Sequence, residues 1–538
     1  MPTPAPGTLD SPAIPTHVPF ARRLVAPGVA LLSGGLLSLS FPGWDAGFLA
    51  WFAIVPFFIL LLAPRKGREY ATLSAAFGFG FFGGVNYWLL AMHPLTWLGG
   101  GMTLGVSLVI VLLAWSLMAL ILSLSAILAF TAAGLVLRRF NSQGRLKGWQ
   151  AVLVLSSFWV AMEYFQANGT FGYAWGVLAS SQYKTLPLLQ SIALVGPFPL
   201  SGLIVAVNAA IAWLITRREW KPLAGCLAIT VAASVFGAWW LSRPVPGSPL
   251  KVALVQGDIS QTEKWKKGNE FRILDTYLGL SNQAKDAQLV VWPESALPVL
   301  LAQNPTLYNR LSLETRARHQ YLLTGTFNSR FGPKGQMQYF NATTMFDPLG
   351  DDIGWDAKKH LVPFGEYLPW RDTLPAIWAQ TFAQLNLFEV DITPGDRPMP
   401  FPTNGAAVGT NVCFDSIFPD VLRKTAQSGA QLFVLVTNDS WYKRTYALQQ
   451  HLAHGVLRAV ENRRPFLQAA NTGATAVVDH TGRIVAMGKT WEPLVVQGSV
   501  TPVSELTPYT RFGDWLSWLM TAVAGLFALY AWRGLKRA

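Results

Sequence analysis

Apolar residues follow two rhythms along this chain. From Leu24 to Leu241 they form long runs, whereas from Lys251 to Ala470 they come in short clusters separated by polar, helix-like stretches. The long runs cover Leu24–Phe41, Ala46–Ala63, Ala71–Met92, Leu104–Val136, Val152–Phe165, Ile192–Ile215 and Leu223–Leu241, and one more, Trp515–Trp532, closes the sequence. Most approach the ~20 residues that a bilayer core demands. Val152–Phe165 is the short one and ends beside Glu163. The run after Arg22-Arg23 is too long for a signal-peptide core and another follows at once, so it reads as a retained first span.

The second rhythm starts after a linker, Arg243-Pro-Val-Pro-Gly-Ser-Pro. Strands are expected at Lys251–Ile259, Gln288–Trp292, Tyr321–Phe327, Tyr339–Asp347, Gly405–Val412, Gln431–Thr437 and Pro465–Ala470. Helices are expected at Glu263–Lys285, Thr306–His319 and Gln449–Glu461, with another starting near Ser416. The alternation predicts an α/β domain. A stretch of about thirty residues, Glu366–Gly395, breaks the pattern with Trp370, Trp378, Phe382, Leu387 and Phe388 and few charges. It is too apolar for a solvated linker and reads as a lid or membrane-dipping arm.

Composition agrees with a membrane protein: of 538 residues, 51% are hydrophobic and only 13% charged, and 22 tryptophans suit interfacial belts. The net charge of +13 does not imply nucleic acid, because the basic residues cluster between apolar runs. Arg22-Arg23, Arg65-Lys66-Arg68, Arg138-Arg139-Arg145-Lys147, Arg217-Arg218-Lys221 and Arg533-Lys536-Arg537 occupy every second boundary. That alternation predicts a polytopic bundle of about eight spans with both termini cytoplasmic. The expected organisation is a polar tail (1–21), seven spans (22–241), an extracytoplasmic domain (242–514) with its lid (366–395), an eighth span (515–532) and a cytoplasmic tail (533–538).

Two cysteines are present. Cys226 lies inside an apolar run, so no disulfide framework is expected. Cys413 ends the strand Gly405–Val412, and a thiol at a strand-to-helix turn would have its thiolate favoured by the helix N-terminus. The competing reading is a small buried hydrophobe. Thiol chemistry on a carbonyl also needs a base and a group to hold the oxyanion. Glu294 follows the apolar strand in Val290-Val-Trp-Pro-Glu294-Ser, where partial burial suits a general base, although a helix-capping acid fits the same place. Lys358 stands beside Lys359 and His360, where a solvated charge run is the simpler reading.

Trp292-Pro-Glu294-Ser, Lys358-Lys-His-Leu-Val-Pro-Phe-Gly-Glu366-Tyr and Asn411-Val-Cys413-Phe-Asp occur in the order of the Glu-Lys-Cys signatures of the nitrilase superfamily, which they resemble. Within it, Val255-Gln-Gly-Asp-Ile with Trp265, Thr437-Asn-Asp-Ser-Trp441 and Ala470-Asn-Thr-Gly473 are similar to the bacterial apolipoprotein N-acyltransferase family. So are Trp159-Val-Ala-Met-Glu163 and Tyr173-Ala-Trp-Gly176 in the membrane part. The resemblance implies a nitrilase-like αββα sandwich, with Glu294 as general base, Lys358 as transition-state cation and Cys413 as nucleophile. Trp265, Glu366, Phe414 and Asp415 would be accessory or substrate-binding residues. The family usually follows its cysteine with tyrosine and glutamate, whereas Phe414 and Asp415 stand here. Tyr442-Lys-Arg-Thr445 lacks the glycine expected after Trp441.

The resemblance further implies a monomer of the bacterial inner membrane, needing no cofactor. It would move an acyl chain from a phospholipid donor to the α-amine of a diacylglyceryl-cysteine lipoprotein through a thioester. A membrane-anchored amidase with the same triad is the nearest alternative, and a transporter with an outer binding domain a more distant one. Transporter spans usually carry ionisable residues, and here Glu163 stands nearly alone. His451 and His454 lie one turn apart but lack a nearby third ligand, so no metal is expected and a supporting role is favoured.

Overall fold

In the computed structural model, residues 20–95, 102–169, 171–373 and 390–535 are described. The strands are β1 (Leu250–Gln256), β2 (Leu289–Val291), β3 (Tyr321–Phe331), β4 (Met337–Phe346), β5 (Asp352–Ala357), β6 (Phe401–Pro402), β7 (Ala407–Val412), β8 (Leu432–Thr437), β9 (Phe466–Ala470), β10 (Ala476–Val478), β11 (Ile484–Met487) and β12 (Leu494–Val500). They form two six-stranded sheets, ordered β12-β1-β2-β3-β4-β5 and β11-β10-β9-β8-β7-β6. At the centre of each, three strands run parallel: β1, β2 and β3 in the first, β7, β8 and β9 in the second.

Period-two burial decides what each face meets. In β1, Val252 and Leu254 join Val434, Val436 and Val477 in the core between the sheets. Their neighbours Ala253 and Val255 pack instead on Ile273, Leu274 and Tyr277 of the helix Glu270–Ser281. The outer face of the second sheet behaves differently. Phe433, Leu435 and Phe466 enter a cluster that passes through the helices Pro419–Gln427 and Ala447–Asn462 into the N-terminal helices, reaching Trp159 and Val205. At about 1.5–3 kcal/mol per fully buried large apolar side chain, this shared core fixes the sandwich on the bundle.

Four described helices are long and apolar enough to cross a membrane: Leu104–Ser142, Pro197–Arg217, Lys221–Leu241 and Trp515–Arg533. Several expected spans are interrupted. Asn86, buried and bonded through Nδ2 to the Phe82 carbonyl (2.9 Å), ends the helix Gly67–Val85 before a 3-10 turn, Tyr87–Met92. Gly196 (φ +82°) and Pro197 separate Ile192–Val195 from the following helix, and Ala46–Ala63 divides into a 3-10 turn (Gly47–Trp51) and a helix (Val55–Leu62) with proline in its first turn. A Cβ on Gly80 would collide with the Leu31 carbonyl, so the helices Phe20–Ser38 and Gly67–Val85 touch backbone to backbone. Glu163 acts as a pin: Oε1 accepts from the Trp159 indole and the Leu178 amide, both at 2.8 Å.

In the sandwich, the helix expected over Glu263–Lys285 is two pieces, Gln261–Lys264 and Glu270–Ser281, because Gly268 takes φ +89° between them. The helix expected from Ser416 begins at Pro419, a residue suited to a first helical position, and Cys413–Ile417 is a 3-10 turn.

Candidate active site

The candidate residues sit just past strand ends: Glu294 after β2, Lys358 directly after β5, Cys413 directly after β7, and Asn438 and Asp439 after β8. Ligands of open α/β sheets gather at the carboxyl ends of parallel strands for the same topological reason. Three left-handed residues turn the chain there, Ser295 (φ +47°), Cys413 (φ +46°) and Asp439 (φ +57°), a conformation that non-glycine residues hold only when their surroundings enforce it.

Glu294 is 8% exposed, and no helix follows for it to cap: the next helical residues are the 3-10 turn Leu301–Gln303. Its Oε1 accepts from Asn341 Nδ2 (2.8 Å) and its Oε2 from the Asn438 amide (3.0 Å). Asn341 Nδ2 also donates to Glu366 Oε1 (3.0 Å), which in turn accepts from Lys358 Nζ (2.9 Å). Lys358 is therefore no solvated charge, being 2% exposed. Burial pulls its ammonium down, but Glu366, then Cys413 and Glu294, outweigh this and hold it above the ordinary lysine range. Lys359 goes elsewhere, pairing with Asp356 at 2.7 Å.

Cys413 is partly exposed and reduced, and both Glu294 and Lys358 act on its sulfur. The expected helix-terminal activation is absent. Burial first, and Glu294 next, push the thiol well above its usual range, while Lys358 only partly offsets them. The helix dipole is too far along the chain to help, since its N-terminus lies at Pro419. At rest the sulfur carries its proton, so any attack by it needs a neighbouring base.

Behind the sulfur stands a dyad that the sequence left unpaired. His451 Nδ1 is 2.9 Å from Asp439 Oδ1, and Nε2 is 2.9 Å from Ser416 Oγ and 3.2 Å from the Cys413 carbonyl oxygen. Burial pulls the imidazole down, but Asp439 reverses this and raises it above the ordinary histidine value. The Trp175 ring stacks on it at 5.7 Å, and its Nε1 donates to Gln450 Oε1 (2.6 Å) one residue before the histidine. His451 is thus fully engaged, and His454 also packs on Trp175.

The remaining candidates divide. Asp415 is wholly buried, and its carboxylate accepts from the amides of Val412, Lys359 and His360 at 2.7–3.2 Å. That ties the strand end bearing Lys358 to the one bearing Cys413 and leaves no oxygen facing a substrate; burial pushes this carboxyl up to about 6. Phe414 packs on Phe418 and faces Tyr173 of the bundle at 6.4 Å. Trp265 is 55% exposed, bonds to Gln261 and lies 5.9 Å from Phe327, outside the hydrogen-bonded cluster.

Its neighbour Lys264, unremarked in the sequence, is the one directed inward. Nζ donates to the Glu294 carbonyl oxygen (3.2 Å) and lies 3.5 Å from Asn438 Oδ1. Burial, opposed by Glu294, lowers its ammonium to about 8. In the segment that lacks the expected glycine, Lys443 takes φ +46° and ψ −146°, and its Nζ donates to the carbonyls of Met92 and His93.

Of the proposed lid, Trp370 is 61% exposed with its ring 5.1 Å from Phe171. Trp378, Phe382, Leu387 and Phe388 lie outside the described residues. Both feet of the segment are fastened. Arg371 Nε and Nη2 grip Asp391 at 2.8 and 2.7 Å, and the Ile392 and Gly395 amides donate to the carbonyls of Glu366 and Lys358.

Two back-to-back sheets with a carboxylate, a lysine and a cysteine at their strand ends define a carbon-nitrogen hydrolase domain, and residues 251–506 match that family. Residues 33–210 match the apolipoprotein N-acyltransferase N-terminal domain. An apolipoprotein N-acyltransferase of Geobacter metallireducens is 33% identical over 94% of this chain and 95% of its own length, and one of Gloeobacter violaceus is 35% identical over the same shares. The chain belongs to the apolipoprotein N-acyltransferase family.

Proposed function

We propose that this chain transfers an acyl group from a membrane phospholipid to the α-amine of a diacylglyceryl-cysteine at the start of a lipoprotein, through a thioester on Cys413. The observation that carries this reading is that the Glu294 carboxylate and the buried Lys358 ammonium both act on the Cys413 sulfur, on a sandwich whose outer layer shares a core with the membrane helices. Glu294 takes the sulfur proton and the thiolate attacks the ester carbonyl. Lys358 and a backbone N–H hold the oxyanion, and the lysophospholipid leaves as its alcohol with the proton from Glu294. The lipoprotein amine then attacks the thioester. Its proton passes through Glu294 to the departing sulfur, the amide forms and the thiol is restored.

Both substrates are lipids, and each CH₂ drawn out of the bilayer would forfeit about 0.8 kcal/mol, so the site must work at the membrane surface. Accordingly residues 242–514 face the outside of the inner membrane, about eight spans hold them there and both termini are cytoplasmic. A single chain supplies every reacting group.

The test supplies the full chain in nanodiscs with phospholipid labelled in its acyl chains and a diacylglyceryl-cysteine peptide. The reading expects the peptide to gain one labelled acyl amide and an N-acetylated peptide to gain none. Labelled free fatty acid at equal rates with or without peptide would instead establish an amidase-like hydrolase.

A further inference from the structure

We infer that the outer end of the helix Lys221–Leu241 is a binding site for one anionic phospholipid, its phosphate held by Arg243 and Arg463 and its acyl chain lying along the helix. Both arginines face one indole. The Arg463 guanidinium lies 4.6 Å from the Trp240 ring centre, and that of Arg243 lies 5.1 Å from it and 5.3 Å from Trp239. Arg463 is only 4% exposed, yet among the described residues its guanidinium makes no hydrogen bond or ion pair, and Nε is buried without a partner. Buried cations are ordinarily paired. Burial pulls Arg463 below the usual arginine range; Glu505 acts against this, and Arg243, a like charge, adds to it.

Below this pair the helix presents an exposed apolar face that includes Leu227, Val231, Val235, Phe236 and Trp239. From Trp239 to Ala224 it runs about 22 Å at 1.5 Å per residue, most of a ~30 Å hydrocarbon core. An anion of two-guanidinium size above an apolar helix face of that length fits a phospholipid with a net negative headgroup, since guanidinium pairs grip phosphate oxygens in a fork. A choline headgroup would set a third cation beside the two. The place is separate from the reacting cluster: Arg463 follows the helix that carries His451, about 18 Å further along its axis.

Delipidated full chain, titrated with phosphatidylglycerol and read by native mass spectrometry, should retain one molecule at least tenfold more tightly than the R243Q/R463Q double variant, and more tightly than phosphatidylcholine. The variant should still form the Cys413 acyl-enzyme at the parent rate, which excludes misfolding. Val231→Trp, which reshapes that helix face and spares both arginines, should also lose the lipid. Equal retention by the double variant or by Val231→Trp would overturn the inference. So would displacement by millimolar inorganic phosphate, which would mark a site for a free anion.

Discussion

The sandwich has two outer helical layers, built alike and used differently. On the first sheet the helix Pro305–Arg318 buries Leu307, Leu311 and Thr315, one stripe, and turns its charges to solvent. On the second sheet the helix Ala447–Asn462 buries every residue except Gln449. The first layer closes a soluble fold, and the second is an interface that the membrane helices complete. The proposed chemistry is divided along the same line. Glu294 and Lys358 come from the solvent-backed sheet, whereas Cys413 and the His451 that braces its carbonyl come from the membrane-backed one. Through Trp175, Gln450 and Phe414 the bundle bears directly on the turn that aims the sulfur.

Changes at the junction should therefore cost far more than changes on the solvent layer. Glu294→Gln removes the proposed base, which joins the two sheets' contributions, and should slow acyl-enzyme formation by about 10²–10⁴. His451→Ala leaves the three proposed reacting groups in place but frees the Cys413 carbonyl, and a misaligned nucleophile should cost about 10² in kcat, with little change in the KM for phospholipid. A proportional rise in KM would show that the ring serves only to shape the pocket.

Lys264 gives the comparison a pH dependence. Its ammonium, lowered to about 8, is charged below that pH and holds the Glu294 carbonyl, and it loses the proton and the grip above it. Acyl-enzyme formation should fall as pH rises through about 8, and Lys264→Arg should move that limb to higher pH, as read by quenched intact-mass time courses. Smallest of all, Arg310→Ala breaks an exposed pair with Asp275 on the solvent layer and should change stability by no more than about 0.5 kcal/mol and activity not at all.

The strand ends were legible because each apolar run stops at the residue that matters: Val291 before Glu294, Val412 before Cys413 and Thr437 before Asn438. The partners of those residues were not. Asn341 sits mid-strand in β4 and bridges two carboxylates only because β5 and β3 flank it. Lys264 fell inside the single helix expected over Glu263–Lys285, which Gly268 divides in two. Asp439 and His451 meet through a left-handed turn that no periodicity encodes. β12 returns from the end of the domain to pair with β1, a choice made by the whole sandwich. The thiol's state went the other way: a local rule favoured the thiolate, and burial by both sheets overrode it.

The central claim is that Cys413 carries the acyl group between two lipids. Incubating the purified chain with phospholipid alone and weighing it intact after denaturation tests this directly. The account predicts a mass gain of one acyl chain on Cys413, absent in Cys413→Ala, that persists in water and discharges when a diacylglyceryl-cysteine peptide is added. No gain with any phospholipid, or an equal gain in Cys413→Ala, would contradict it.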